Sequence, residues 1–208
     1  MGRILMPEET KPSSPSAGFG RIFFDSTLGR EVYLDDSGRC WTRTHRASVA
    51  SQGAGFATDT YVTDSGLLIP SFGVQAQTLI EWVISASKTA AGTATPIYQV
   101  RIGANQTTAD TSRLTLTGPA ATAAVDIGLL SILVLVRTVS ASGVIQGSAN
   151  WTHNGAAAGF ANNDAGSVEA TSSAFDNTAL GGLFVGLSIN GGTSAAWTIT
   201  QVRAQGLW

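Results

Sequence analysis

LLSILVLVRTV, Leu129 to Val139, is the most apolar and β-branched run in the chain. Periodicity alone does not separate a buried strand from a segment of buried helix. Length and content do. The run is about a strand's length, well short of the ~20 residues that a membrane-spanning helix needs. Gly128 precedes it, Ser140 to Gly143 follow it, and Ile132, Val134, Val136 and Val139 suit a pleated surface. As a strand it sets Leu130, Ile132, Val134 and Val136 on one face. Leu129, Ser131, Leu133, Leu135 and Arg137 fall on the other. A strand apolar on nearly both faces is central, one side on its own core and the other available to a partner subunit. Leu129, Leu133 and Leu135 are therefore the candidates for an interface between copies.

Working outward, 208 residues suffice for one all-β domain and an arm. Gly, Ala, Ser and Thr are abundant, and charged residues make up only 12%. That composition fits neither a disordered polyelectrolyte nor a helical bundle. The net charge is -2, and the one small basic cluster, Arg39, Arg43 and Arg46, is balanced by Asp35 and Asp36. A nucleic-acid partner would call for a basic stripe that neutralises phosphates, so none is expected. No segment is long and apolar enough to predict a membrane partner either. A single cysteine, Cys40, excludes an intrachain disulfide framework. The first residues lack a basic region followed by an apolar one, so no signal peptide is predicted and synthesis in a cytoplasm is expected.

Met1 to Ala17 holds Pro7, Pro12 and Pro15 among charges and serines, which predicts an extended arm, ordered by lying on a partner. Gly18 to Arg46 reads as a small meander. Arg21 to Phe24, Glu31 to Leu34 and Arg39 to Thr42 are strand-like, and the turns between them close on Gly29 and Gly38. So small a sheet needs further surface to cover it. Ile22, Phe24, Val32, Leu34 and Trp41 are its predicted buried face. From Ala47 to Trp208 the chain reads as about eight or nine short strands, the pattern of an antiparallel β-sandwich of jelly-roll-like type. Ile80, Trp82 and Ile84 share one face with Glu81 on the other, Tyr98, Val100 and Ile102 alternate with Gln99 and Arg101, and Leu114 and Leu116 with Arg113, Thr115 and Thr117.

Reactive chemistry is sparse. His45 and His153 are far apart, no Cys or carboxylate cluster has ligand spacing, and neither a metal nor a cofactor is expected. Asp35 to Gly38 lacks the alternating ligands of a calcium loop and reads as a β-turn. There is no G-x-S-x-G elbow, and Cys40 sits within an aromatic strand pattern that suits a small buried hydrophobe. Glu81, Asp110, Asp126, Asp164, Glu169 and Asp176 could in principle pair, but neighbouring turn formers account for most of them. No catalytic residue is assigned. The tryptophans invite a carbohydrate reading, since sugars stack on aromatic faces. Core packing is favoured for Trp82 and Trp197, and Trp151 and Tyr61 are the glycan-binding candidates.

Two parts of the chain resemble proteins of tailed-bacteriophage virions. PSSPSAGFGRIFFDSTLGREVYLDDSGRCW, Pro12 to Trp41, is similar to a short element near the N-termini of phage fibres and other virion proteins. SASKTAAGTATPIYQVRIGANQTTADTSRLTLTG (Ser85 to Gly118), VRTVSASGVIQGSANWTHN (Val136 to Asn154), SSAFDNT (Ser172 to Thr178) and WTITQVRAQGLW (Trp197 to Trp208) look like a β-sandwich module of phage structural proteins. The resemblance implies a non-enzymatic homotrimer on the virion surface. It would dock onto the major capsid protein or another virion protein, as capsid decoration or head fibre, or else as a tail fibre or tail-tip adaptor. Pro12, Pro15, Phe19, Ile22, Phe24, Tyr33 and Trp41 are the docking candidates. The alternative from another class is a module that recognises a host surface glycan.

Overall fold

In a computed structural model of the chain, which describes residues 8–153, 159–161 and 167–208, the regular elements are all strands. A first, four-stranded sheet holds β1 (Glu8–Glu9), β2 (Arg21–Asp25), β3 (Arg30–Leu34) and β4 (Cys40–Trp41), in that order. Then follow β5 (Arg43–Ser48), β6 (Gln52–Gly55), β7 (Thr60–Tyr61), β8 (Leu67–Leu68), β9 (Leu79–Lys88) and β10 (Ile97–Gly103). The chain continues through β11 (Thr111–Thr117), β12 (Asp126–Thr138), β13 (Val144–His153), β14 (Val168–Thr171), β15 (Phe184–Asn190) and β16 (Trp197–Leu207). A seven-stranded sheet, β14-β13-β12-β9-β16-β5 with β6 also on β16, faces a five-stranded one, β11-β10-β15-β7 with β8 also on β15. Among the described residues every pairing in these two sheets is antiparallel, so the body is an all-β sandwich.

The opening run lies at the middle of the larger sheet. Its strand β12 pairs β13 on one side and β9 on the other, with Leu130 opposite both Trp151 and Ile84 and Ile132 opposite Trp82. Leu130, Ile132, Val134 and Val136 are buried, and the side chains between them point away from the core. Tyr98, Val100, Ile102, Leu114, Leu116, Val185, Leu187 and Ile189 close the core from the smaller sheet. Full burial of a side chain of this size contributes about 1.5–3 kcal/mol, and the interleaving of two such faces is what holds the sheets together. Trp151 stacks on Phe160 at 4.0 Å between centroids, and both meet Trp197 edge-on.

The small sheet packs on the sandwich, which supplies the further surface it needs. Phe72 touches both apolar cores. Gln75 accepts from the Cys40 N–H at 2.9 Å and donates to the Cys40 carbonyl at 2.7 Å, so it pairs with β4 as a strand would. Arm residues 8–17 likewise lie on their own meander: β1 runs parallel to β2, Glu9 pairs Arg21, and Lys11 donates to the Gly38 carbonyl. The strand that enters the sandwich starts at Arg43, before the Ala47 boundary read from the sequence.

The buried face of the meander is Phe23, Val32, Leu34 and Cys40, which corrects the predicted one at three positions. Ile22 and Trp41 are exposed and Phe24 is half-buried. The cause is Asp25. Its carboxylate is wholly buried, accepting from the N–H groups of Thr27 (2.9 Å) and Leu28 (2.8 Å) and from Ser71 N (3.0 Å). Strand side chains alternate, so an inward Asp25 forces Phe23 inward and Phe24 outward. Gly29 and Gly38 close the two turns at φ 61° and 85°, as the turn chemistry predicts.

Candidate functional surfaces

The outer face of the seven-stranded sheet carries a row of apolar side chains. Leu129 and Leu133 are each 42% exposed and Leu135 39%, with Ile127 and Val125 extending the row beyond Leu129. Cross-strand neighbours thin it out on one flank: Thr152, Asn150, Ser148 and Gln146 of β13 stand opposite Leu129, Ser131, Leu133 and Leu135. On the other flank Leu135 faces Leu79, and Leu79 faces Leu207. That end of the row opens into a hollow of about 570 Å³ walled by Leu79, Leu135, Leu207, Trp208 and Trp41. Glu81 is held beside it by the Gln205 amide and, more loosely, by Arg203.

Three of the docking candidates, Ile22, Tyr33 and Trp41, share the outer face of the small sheet. Ile22 stands opposite Tyr33, and Tyr33 opposite Trp41. All three are about half exposed, Phe19 more so, while Pro12, Pro15 and Phe24 are partly covered. A groove of about 570 Å³ runs along Ile22, Tyr33, Trp41, Arg30 and Arg43. Arg39 lies over the Trp41 ring at 4.2 Å, and the Trp41 indole N–H points to Asp35 at 3.5 Å. The Asp35 carboxyl itself is held below its usual range by the Ser37 hydroxyl first and the Arg39 N–H next. The predicted turn therefore orders the aromatic beside it.

Trp151 cannot serve as a sugar platform. Its ring is buried, and its N–H donates to Tyr98 Oη at 2.6 Å inside the core. Alternation along β13 places it inward because Thr152 and Asn150 take the outward positions. Tyr61 does reach the surface, on the wall of a polar cleft with Arg46, Asp59, Asp64 and Gln106.

Two polar clusters had no local signature. Asp126 and His153 meet at 2.7 Å across β12 and β13, and Asp126 also accepts from the Phe160 N–H at 3.0 Å. Buried Lys88 donates to the carbonyls of Thr89 and Thr122, at 3.0 and 2.7 Å; its burial lowers the ammonium pKa, and Asp126 partly offsets this. Arg101 was legible as an outward residue of β10, but residues 57–66 and 104–110 fold over it and bury it. Among the acids read as possible partners for one another, Asp110 is bound by Asn105 and Gln106, and Asp176 caps Thr178. Asp164 lies outside the described residues. Among the described residues no cluster of His, Cys, Asp or Glu is placed to hold a metal ion. Cys40 is buried, and that burial pushes its thiol up to about 11, away from nucleophilic use.

No family model matches the chain, and no curated protein matches it.

Proposed function

We propose that this chain is a non-enzymatic structural protein of a bacteriophage virion, a homotrimer mounted by its N-terminal segment with the sandwich projecting from the particle surface. The exposed Leu129, Leu133 and Leu135 row supports the assembly. Single exposed apolar residues are ordinary on a soluble protein, but a row of them along an inner strand of a sheet, interrupted by Ser131, suits an interface between copies. The outward Ile22, Tyr33 and Trp41 support the mounting, since aromatic residues on a small exposed sheet suit docking onto a larger surface. Capsid decoration or a head fibre fits better than a tail fibre or tail-tip adaptor, because no fibre-like repeat runs through these residues. Synthesis in the host cytoplasm belongs to the same reading.

Light scattering over a range of concentrations tests the assembly: three times the chain mass is expected, and a monomer throughout would overturn it. Mounting is tested by loading onto particles. Protein lacking Met1 to Ala17 should remain a trimer and fail to load; equal loading of the truncated and full-length chains would remove the arm from the mechanism.

A further inference from the structure

The outer side of the five-stranded sheet carries a polar construction that sandwich closure does not require. Arg101, only 8% exposed, donates to Ser188 Oγ (2.7 Å) and to the carbonyls of Thr108 (2.9 Å) and Asp110 (2.6 Å). It also donates to the side chains of Asp59 and Gln99. Buried Asp110 in turn accepts from Asn105 N at 3.0 Å and Gln106 N at 2.7 Å. Residues 57–66 and 104–110 are thereby fixed against each other and against the sheet. Glycines make the room. A Cβ on Gly186 would lie 1.8 Å from Tyr61 Oη, and one on Gly66 would lie 2.5 Å from Gln106 Oε1.

Between these segments and β5 lies a cleft of about 430 Å³, lined chiefly by Arg46, Asp59, Tyr61, Asp64, Gln106 and Thr107. Arg46 pairs with Asp64 and reaches Gln106 Oε1 at 3.4 Å. Asp64 and Gln106 are both held at positive φ, 65° and 53°, which side-chain-bearing residues seldom adopt. Asp59 Oδ1 is buried with no hydrogen-bond partner. Tyr61 Oη is buried without a well-formed one, although Ser65 is close enough to influence it. Polar groups left short of partners beside a cleft are atypical of a merely structural network, and ion pairs of this kind add little to stability.

The lining selects the ligand class. Both carboxylates of the lining are already paired, Asp59 with Arg101 and Asp64 with Arg46, so the charges balance and neither an anion nor a cation is favoured. The metal reading lacks a third ligand, since no such cluster exists among the described residues. A neutral molecule with several hydroxyls fits: the second oxygen of the Asp64 carboxylate accepts from it, the Arg46 guanidinium and the Gln106 amide donate to it, and Tyr61 offers ring surface. The volume lies within the lower part of the small-molecule range. We propose that this cleft binds one sugar ring of a neutral glycan. The site stands apart from the Leu129, Leu133 and Leu135 row and does not depend on assembly or on a virion role.

The test is an amide NMR titration of the full-length protein with the methyl glycosides of glucose, galactose, mannose and N-acetylglucosamine. At least one should give saturable shifts at Thr60, Thr63, Thr107 and Thr108. Arg46→Met and Gln106→Ala should each weaken that binding about tenfold, the loss of roughly one charge-assisted or well-formed hydrogen bond. Glu169→Gln, at the far edge of the other sheet, should leave it unchanged. Gln106→Ala spares the Arg101 contacts, so it carries the test even if Arg46→Met perturbs the fold. No saturable shift with any of the four glycosides overturns the proposal, as does binding that the Gln106 variant leaves intact.

Discussion

Ser71 donates both its backbone N–H and its hydroxyl to the buried carboxylate of Asp25, joining the N-terminal sheet to the sandwich across 46 positions of chain. The same carboxylate also terminates β2, so one side chain sets the parity of a strand and the seat of a sheet.

Asp25→Ala should therefore be costly. It removes the acceptor from Thr27 N, Leu28 N and Ser71 at once, and donors left unsatisfied in a buried place cost about 1–3 kcal/mol each before water relieves them. We expect a loss of about 2–4 kcal/mol by urea denaturation, with Asp25→Asn losing less because its carbonyl still accepts. A change within about 0.5 kcal/mol, the range of ordinary surface substitutions, would show that the small sheet is seated by other contacts.

Leu133→Glu tests the outer face. Leu133 is 42% exposed, with Glu81 and Ser148 directly opposite, so the substitution should still fold, with a small loss of stability from the like charge of Glu81. A carboxylate there would stand against Glu81 and lose its water in any interface that covers the row. The expected result is a shift to monomer in light scattering with the β-sheet circular dichroism retained and a lowered urea midpoint, since Glu81 repels the new carboxylate and the assembly no longer contributes. An unchanged mass would move the interface elsewhere.

Cys40 should be silent to thiol reagents in the native state. Burial raises its thiol to about 11, so the folded chain binds a proton that the unfolded chain releases near 9. The stabilisation from this group is present below about 9 and is lost as pH rises towards 11. Labelling near pH 8 should be slow without denaturant and rapid in urea; fast labelling of the folded protein would contradict the burial.

Trp151→Ala should behave as a core truncation. Loss of its stack with Phe160 and its bond to Tyr98 predicts about 3–5 kcal/mol of destabilisation. Sugar binding by this variant, measured below its unfolding temperature, should match the parent's. A selective loss of binding in a stable Trp151→Ala protein would restore the ring to a recognition role.

Long strands announced themselves and short ones did not. Along β12 and β9 the two-residue alternation persists for ten residues or more, and in β10 and β11 over shorter stretches, so the apolar inward residues were readable from the sequence. In β2 the two adjacent phenylalanines, Phe23 and Phe24, give no preference. A buried aspartate broke the tie, and the reason for its burial, Ser71, lies in another part of the chain. Trp151 was ambiguous in kind, since an indole suits a core and a sugar platform equally until its neighbours are known.

What the sequence determined by itself was the class of fold, a sandwich of alternating strands around an unusually apolar one, because period-two patterning is local and repeats along each strand. Only the tertiary structure decided which apolar side chains of the meander remain outside, that residues 8–17 rest on the meander and the meander on the sandwich, and that Arg46, Asp59, Tyr61 and Gln106 share a cleft. Those outcomes depend on contacts between residues tens of positions apart. A local pattern carries no record of such contacts.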